Sequence, residues 1–231
     1  MTSSGTFNFS PSNGELVLAA LERVRVRGPE IRQEHMLSAR RELNFMFSSW
    51  SNFSPNLWEV IRTQTTLTQG TATYTLPNKT IMVLDASIVL NFGLSTESRT
   101  YITPISRTEY LSYANQQTQG KPTVYWYDRL ISPTLTLWPV PDANGPYTLD
   151  FFSCTQMQDA GLPGGETPDV PYRWLDAMVA GLAGRLAVIY APELEAQRKA
   201  DAKEALMLAQ DQDIENVNFR IMPQIGQAYQ R

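Results

Sequence analysis

Residues 171–190, PYRWLDAMVAGLAGRLAVIY, bear more on the fold of this chain than any other stretch. They are apolar around most of a helical circumference, which is typical of a helix buried on several sides. Small residues that would let neighbouring helices approach closely stand at Ala180, Gly181, Ala183 and Gly184. Asp169 has the residue type of a helix cap, and Pro192 ends the run. The sequence therefore predicts a central core helix here.

Helical patterns flank this stretch on both sides. Ser12 and Glu15 have the spacing of a capping box and predict a first helix that ends at Gly28-Pro29. Pro29 is expected in the first turn of a second helix. The apolar positions of that helix are Ile31, Met36, Ala39, Leu43, Phe47 and Trp50. After Pro192, residues 193–216 predict a charged helix whose narrow apolar stripe runs through Leu194, Ala205 and Leu208.

Between the helices the composition changes to Thr, Val, Tyr, Ile and Trp in short apolar runs punctuated by Gly, Pro and Asn. The predicted strands are 63–68, 72–76, 81–90, 123–127, 135–138 and 147–152, and short connections make them mostly antiparallel. Ser106 and Glu109 repeat the capping-box spacing and predict a short helix. Trp138 would end a strand that a hairpin connection joins to Tyr147.

The fold class expected from these patterns is α+β: mainly a helical bundle, with an antiparallel β-rich insertion and extended terminal arms. The expected organisation is a flexible arm (1–11), a first bundle part (12–62), the β-rich insertion (63–154), an exposed loop (155–170), a second bundle part (171–216) and an extended tail (217–231).

Composition and charge exclude several classes of protein. The 231 residues are 42% hydrophobic and 18% charged, as in globular proteins, and the net charge of -4 disfavours tight binding to DNA phosphates. No signal peptide and no membrane span are expected, because the longest apolar stretch is short and contains Arg185. The single cysteine, Cys154, is expected to be a small buried residue of a chain assembled in a reducing cytoplasm.

Residues with catalytic or metal-binding potential are few. The single histidine, His35, lies within the second predicted helix, where a surface or interface role is expected. One His and one Cys leave zinc without ligands, and the glycine-rich stretch 161–166 lacks the Lys-Ser/Thr of a phosphate-binding loop. Carboxylate pairs occur at Glu193 and Glu195 and at Asp211 and Asp213, in a helix where solvation is the ordinary explanation. We expect no enzyme activity and no cofactor.

The most specific local pattern is GKPTVYWYDRLISPTLTLWPVPDANGPYTLDFFS, residues 120–153. It resembles the Gly-Lys-Pro, Leu-x-Leu-Trp-Pro-x-Pro and Tyr-x-Leu pattern of the head-to-tail adaptor proteins of short-tailed bacteriophages. The residues that carry this resemblance are Lys121, Pro122, Tyr125, Leu137, Trp138, Pro139, Pro141, Asp142 and Tyr147. Earlier parts of the sequence also stand in the order that the family has: Leu43-Asn44, Trp50, the segment 70–77 and Pro104-Ile105. The resemblance therefore covers about residues 16–216.

The resemblance implies a structural protein of the virion, assembled in the host cytoplasm at the junction of head and tail. Its partners would be the portal protein, a tail nozzle, tube or spike, and further copies of itself in a dodecameric ring. Genomic DNA would pass through the lumen without specific binding, and a mildly negative chain suits that passage because like charge repels phosphate.

The last residues lack helical or strand periodicity yet contain apolar side chains, so they are expected to need a partner for burial. The hypothetical portal contacts are Phe219, Arg220, Ile221, Met222, Ile225, Tyr229 and Arg231. In the motif region, Tyr125, Trp126, Trp138 and Tyr147 either pack the predicted hairpin or form a platform for contact with a sugar or a protein.

Two other functions stay open from the residues alone. A tail or receptor-binding component would use the aromatic β region, but such proteins are usually β-rich trimers, and the helical content here favours the adaptor. A glycan hydrolase would need two carboxylates projected across a cleft, and no such pair stands out in the sequence.

Overall fold

The computed structural model describes residues 5–6, 9–52, 57–161 and 165–214. The helices are α1 (Asn13–Arg23), α2 (Gln33–Trp50), α3 (Arg107–Ser112), α4 (Leu175–Tyr190) and α5 (Glu195–Asp211). The strands are β1 (Val60–Thr66), β2 (Thr73–Thr75), β3 (Thr80–Leu90), β4 (Ser98–Pro104), β5 (Val124–Asp128), β6 (Thr134–Trp138) and β7 (Tyr147–Thr155). Short 3-10 turns cover Gly28–Glu30, Leu57–Glu59, Tyr172–Trp174 and Pro192–Leu194.

Both Ser/Glu pairs with capping-box spacing lie at helix starts, and the pair at α1 forms the complete box. At α1, Glu15 N donates to Ser12 Oγ at 3.2 Å and Ser12 N donates to Glu15 Oε2 at 2.7 Å. At α3, Glu109 N donates to Ser106 Oγ at 3.1 Å. These bonds satisfy amide groups that have no partner within the first helical turn. The predicted starts of these two helices are confirmed.

Two predicted helix starts are wrong. Pro29 lies in the separate 3-10 turn Gly28–Glu30, and α2 begins only at Gln33. Asp169 does not cap α4, because its Oδ2 accepts a hydrogen bond from Gln158 N at 3.1 Å and a 3-10 turn precedes the helix. Aspartate often caps a helix, but the carboxylate of Asp169 accepts its hydrogen bond from the backbone of Gln158 instead.

The prediction of α4 as the central core helix is confirmed. Ten of its residues are buried, and α1, α2 and α5 all pack against it. A Cβ on Gly181 would lie 2.7 Å from Met46 Sδ of α2, and a Cβ on Gly184 would lie 3.3 Å from the Arg198 carbonyl oxygen of α5. The two glycines thus allow α2 and α5 to approach α4 closely.

Three tryptophans join the helices to the start of the sheet. Trp174 is 2% exposed, and its ring centroid lies 5.2 Å from that of Trp50 and 4.7 Å from that of Trp58. Trp58 Nε1 donates to the Asp169 carbonyl at 3.2 Å, one residue before Glu59 and the start of β1. The aromatic contacts therefore fix the direction in which the first strand leaves the helical layer.

The seven strands form one curled mixed sheet in the order β1-β7-β3-β4-β5-β6-β2. Among the described strands only β4 and β5 pair in parallel, so the prediction of mostly antiparallel pairing is confirmed. One face has its own hydrophobic core, formed by residues such as Ile88, Ile102, Tyr125, Leu149 and Phe151. β4 was not predicted, because Ser98–Pro104 has few strongly apolar residues and only Ile102 is fully buried.

The expected fold class, mainly a helical bundle with a β-rich insertion, is wrong. Of the described residues, 40% are helical and 24% lie in strands, and the sheet is a half-barrel with a core separate from that of the helices. The strands were visible in the sequence, but the long-range pairings that curl them into a second layer depend on tertiary contacts.

The predicted hairpin from Trp138 to Tyr147 is also wrong. Residues 139–146 connect β6 to β7, and these strands are not neighbours, since β7 lies between β1 and β3. The hairpin of this region instead joins β5 to β6, with Tyr125 opposite Leu137.

Burial differs from expectation at two further places. In the segment expected to be an exposed loop, Met157 and Ala160 are buried in the helical core, and Ala160 N donates to Asn44 Oδ1 at 2.8 Å. In α5 the expected stripe residue Leu208 is exposed, and the adjacent Ala209 is buried. A narrow apolar stripe does not identify which side of a helix a neighbour will cover.

Candidate interaction surfaces

Residues with catalytic potential lie apart from one another. Within the described ranges, no three His, Cys, Asp or Glu side chains come together as metal ligands. His35 lies near the start of α2, where its Nδ1 accepts from Arg32 N at 3.1 Å and its ring meets Tyr190 edge-on at 5.0 Å. Cys154 is buried near the end of β7. The positions of both residues agree with a structural role.

The first motif residues are part of the sheet core and its support. Lys121 Nζ donates to Thr100 Oγ1 of β4 at 2.5 Å, and Pro122 next to it is buried. Tyr125 and Leu137 face each other across the β5–β6 hairpin and are fully buried. Burial raises the pKa of the Tyr125 hydroxyl to about 12. These residues hold β4, β5 and β6 together.

Trp138 is half-buried and stacks on Tyr113, with ring centroids 4.0 Å apart and an angle of 11° between the planes. Its Nε1 donates to the Asn115 carbonyl at 3.1 Å, and the peptide bond to Pro139 is cis. Trp126 stacks in the same way on Tyr110, at 5.6 Å. Both tryptophans therefore attach the α3 region to the hairpin, so the packing interpretation of the motif aromatics is the better supported one.

The end of the motif forms the connection to β7. Asp142 accepts hydrogen bonds from Asn144 N at 3.0 Å and from the Tyr147 hydroxyl at 2.9 Å. The first of these bonds does most to hold the pKa of the Asp142 carboxyl below its usual value. Pro141, just before this turn, is buried. The motif is thus a scaffold for the sheet, and its residues do not converge on one surface.

Asp150 is the charged residue at the centre of the opposite face of the sheet. Its carboxylate is buried between Arg62 of β1 and Arg99 of β4, both of which donate to it. The hydrogen bond from Arg62 contributes most to holding the pKa of Asp150 at about 2. An aspartate within the apolar run of β7 signals an ion pair, but sequence reasoning missed this network because its partners are distant in the chain.

Glu59 lies where the helical layer meets the sheet and is only 7% exposed. Its Oε2 accepts from Thr155 Oγ1 at 3.0 Å, whereas Oε1 has no donor among the described residues. Burial, and to a smaller extent the nearby carboxyl of Asp169, raise the pKa of Glu59 to about 7. The two carboxylates repel each other when both are ionised, which favours a proton on one of them.

A groove between α2, α4 and α5 lies in the helical layer and has a volume of about 560 Å³. Its floor contains Ala177, Gly181 and Arg185 of α4. Val188 and Ile189 at one end of the floor are 49% and 48% exposed, an unusual exposure for two successive aliphatic residues. An apolar groove of this kind with a polar rim is typical of a protein-binding surface.

The far end of the sheet exposes further apolar side chains. Phe92 and Leu94 project from the β3–β4 turn, and Leu94 is 61% exposed. The ten steps of β3 from Thr80 to Leu90 span about 33 Å, and Thr80 pairs with Thr155 at the helical end. Apolar side chains are therefore exposed at both ends of the molecule.

The hypothetical portal contacts from Phe219 to Arg231 lie outside the described residues, as does part of the N-terminal arm. The last described residues are held in place, because the side chain of Asp213 accepts hydrogen bonds from the turn before β1 and from the turn before α4. Its Oδ2 accepts from Leu57 N at 3.2 Å and its Oδ1 accepts from Arg173 at 2.5 Å. The last described residues therefore lie beside Leu57, close to the start of β1.

No helix in the described part of the chain combines the length and apolarity needed to cross a membrane. No curated protein gives a significant match to the sequence. The family model described as SU10 adaptor protein matches residues 32–222, which include α2, the whole sheet, α4 and α5. The chain therefore belongs to the SU10 adaptor protein family, a family of bacteriophage adaptors, and is a component of the virion.

Proposed function

We propose that this protein is the head-to-tail adaptor of its phage, a non-enzymatic ring subunit between the portal and the tail nozzle or spike. The observation that carries the proposal is the separation of two ends of the body: the described chain stops at the helical end, beside Leu57, and Phe92 and Leu94 are exposed at the far end of the sheet. An adaptor must bind two different partners at once, and family membership supports that role.

The helical end and the C-terminal segment are the proposed portal side. The segment leaves the body beside Leu57, where the tethered Asp213 fixes its origin. Its apolar residues Phe219, Ile221 and Met222 would bind in a groove of the portal, with Arg220 adding charge. A short segment that orders on binding gives low affinity alone, so several copies acting together in a ring would hold the joint.

The exposed β3–β4 turn is the proposed contact with the next tail component. Phe92 and Leu94 lie far from the helical layer, and Glu97 Oε2 holds the turn by accepting from Gly93 N at 3.0 Å. A fixed turn loses little entropy on binding. Genomic DNA would pass through the ring lumen, and the net charge of -4 disfavours strong binding to its phosphates.

The test uses portal-containing heads that lack the adaptor. Wild-type protein is expected to co-sediment with these heads and to add a ring below the portal in electron micrographs, after which tail components attach. Leu94→Asp should still add the ring but reduce tail attachment at least about tenfold, because a buried charge opposes the contact. Thr96→Asp, two residues away in the same turn, is the matched control. Failure of the wild-type protein to bind heads would contradict the proposed function.

A further inference from the structure

We propose that the α2/α4/α5 groove of one subunit binds the outer face of α1 of the next subunit, so that this pair of surfaces forms the lateral contact of the ring. This inference rests on the proposed ring function and names the residues through which neighbouring subunits would contact each other. A ring requires two different, complementary surfaces on each subunit, because a head-to-tail contact repeated by rotation closes on itself.

The outer face of α1 is a separate surface from its buried face. Leu16, Val17, Ala20 and Leu21 are buried against the helical core. Glu15, Leu18 and Glu22 follow one another at spacings of three and four, so they share the outward face. Leu18 is 38% exposed and is the apolar centre of that face, with a carboxylate on each side.

The groove and α1 lie on different sides of α4. Asp176 marks the side facing α1, because its Oδ1 accepts from Arg23 Nη2 at 2.8 Å. At about 100° per residue, Arg185 lies about 180° and Val188 about 120° around the helix from Asp176. The two surfaces of one subunit are therefore unable to meet each other, and each is open to a neighbouring copy.

The length of the groove fits the length of α1. The groove floor extends along α4 from Ala177 to Ile189, about 18 Å at 1.5 Å per residue. The eleven residues of α1 span about 16 Å. Leu18, at the middle of α1, would lie among Met46, Val188 and Leu206 of the groove.

The charges of the two surfaces are complementary. Three cations line the groove, of which Arg185 has Glu42 at 3.6 Å and Lys199 has Glu195 at 2.5 Å. Lys203 of the groove has no ion-pair partner among the described residues, and neither has Glu22 of α1. A contact between copies would pair these two groups at the rim of an apolar joint.

The first experiment reverses these two charges and measures the self-association of the subunit on portal-containing heads. Lys203→Glu and Glu22→Lys are each expected to weaken ring formation about tenfold, and the double variant is expected to restore it, because the pair is re-formed with opposite polarity. Arg107→Glu makes the same charge change on the exposed start of α3 and should leave ring formation unchanged. Circular dichroism must show each variant folded.

The second experiment crosslinks the same surfaces. A Leu18→Cys, Val188→Cys variant treated with a short bismaleimide on heads should give a ladder of adaptor multimers, and the wild-type chain with its buried Cys154 should not. Head binding without a ladder, or crosslinks only to the portal, would overturn the α1–groove contact and leave the adaptor function intact. Absence of head binding by the wild-type chain would contradict both proposals.

Discussion

Arg62 and Asp150 form a two-point ion pair between neighbouring strands, with Arg62 Nε 2.8 Å from Oδ1 and Nη2 2.6 Å from Oδ2. Arg99 donates to the same carboxylate and also to Ser87 Oγ at 3.0 Å. The network thereby joins β1, β7, β3 and β4 on the side of the sheet that lacks the apolar core. A carboxylate buried between two guanidinium groups is costly to remove, because either arginine would lose its partner.

Asp150→Asn should lower the free energy of unfolding by about 2 kcal/mol at pH 7. A fully buried pair costs roughly 3–5 kcal/mol to break, and here both arginines are partly exposed. Because the folded pKa of Asp150 is about 2, below its ordinary value of 3.8, its contribution is complete above about pH 4 and disappears as the pH falls to about 2. Urea unfolding at pH 7 and pH 3 measures both effects, with the exposed Asp159→Asn as control. Equal losses in the two variants would contradict the prediction.

Glu59 should produce a pH dependence of the opposite sign. Its folded pKa of about 7 lies above the ordinary 4.5, so the folded protein retains a proton that the unfolded chain releases. The stabilisation that Glu59 contributes is therefore complete below about pH 4.5 and is lost as the pH rises to about 7. Glu59→Gln should remove this decrease, since the glutamine amide does not titrate between pH 4 and pH 8. Urea unfolding at pH 5 and pH 8 tests this, and Glu204→Gln on the exposed side of α5 should retain the wild-type dependence.

Trp174→Ala should destabilise the fold by about 3–5 kcal/mol, because it removes a fully buried indole from between Trp50 and Trp58. The neighbouring Tyr172 is 74% exposed, so Tyr172→Ala is expected to change stability by less than about 1 kcal/mol. Thermal and urea unfolding give both values. A Trp174→Ala protein with an unchanged melting temperature and no head binding would assign this residue to an interface instead.

Deletion of residues 217–231 should leave the subunit folded by circular dichroism and prevent co-sedimentation with portal-containing heads. The described body, through Asp213, contains both hydrophobic cores, so we expect it to fold without the deleted segment. In the full chain, Phe219→Ser with Ile221→Ser should reproduce the loss, and Asn218→Ser should not. Full attachment of the truncated protein would show that another surface anchors the portal.

Local features of the sequence determined the elements that depend on near neighbours. The capping boxes at Ser12 and Ser106 predicted two helix starts, and the apolar run 171–190 predicted the core helix, because these signals act within one or two helical turns. All six predicted strands also lie within three residues of their observed bounds.

Only the tertiary structure decided how the strands associate and which residues form surfaces. β7 lies between β1 and β3, so Asp150 meets arginines 88 and 51 positions away in the chain, and no local pattern specifies such partners. The groove likewise needs α2 and α5 to lie against the same face of α4, which Gly181 and Gly184 permit but do not require. The sequence by itself determined the helices, most strands and the family resemblance. Long-range packing decided the half-barrel and the positions of its exposed surfaces, because pairing energy depends on contacts that only the folded chain brings together.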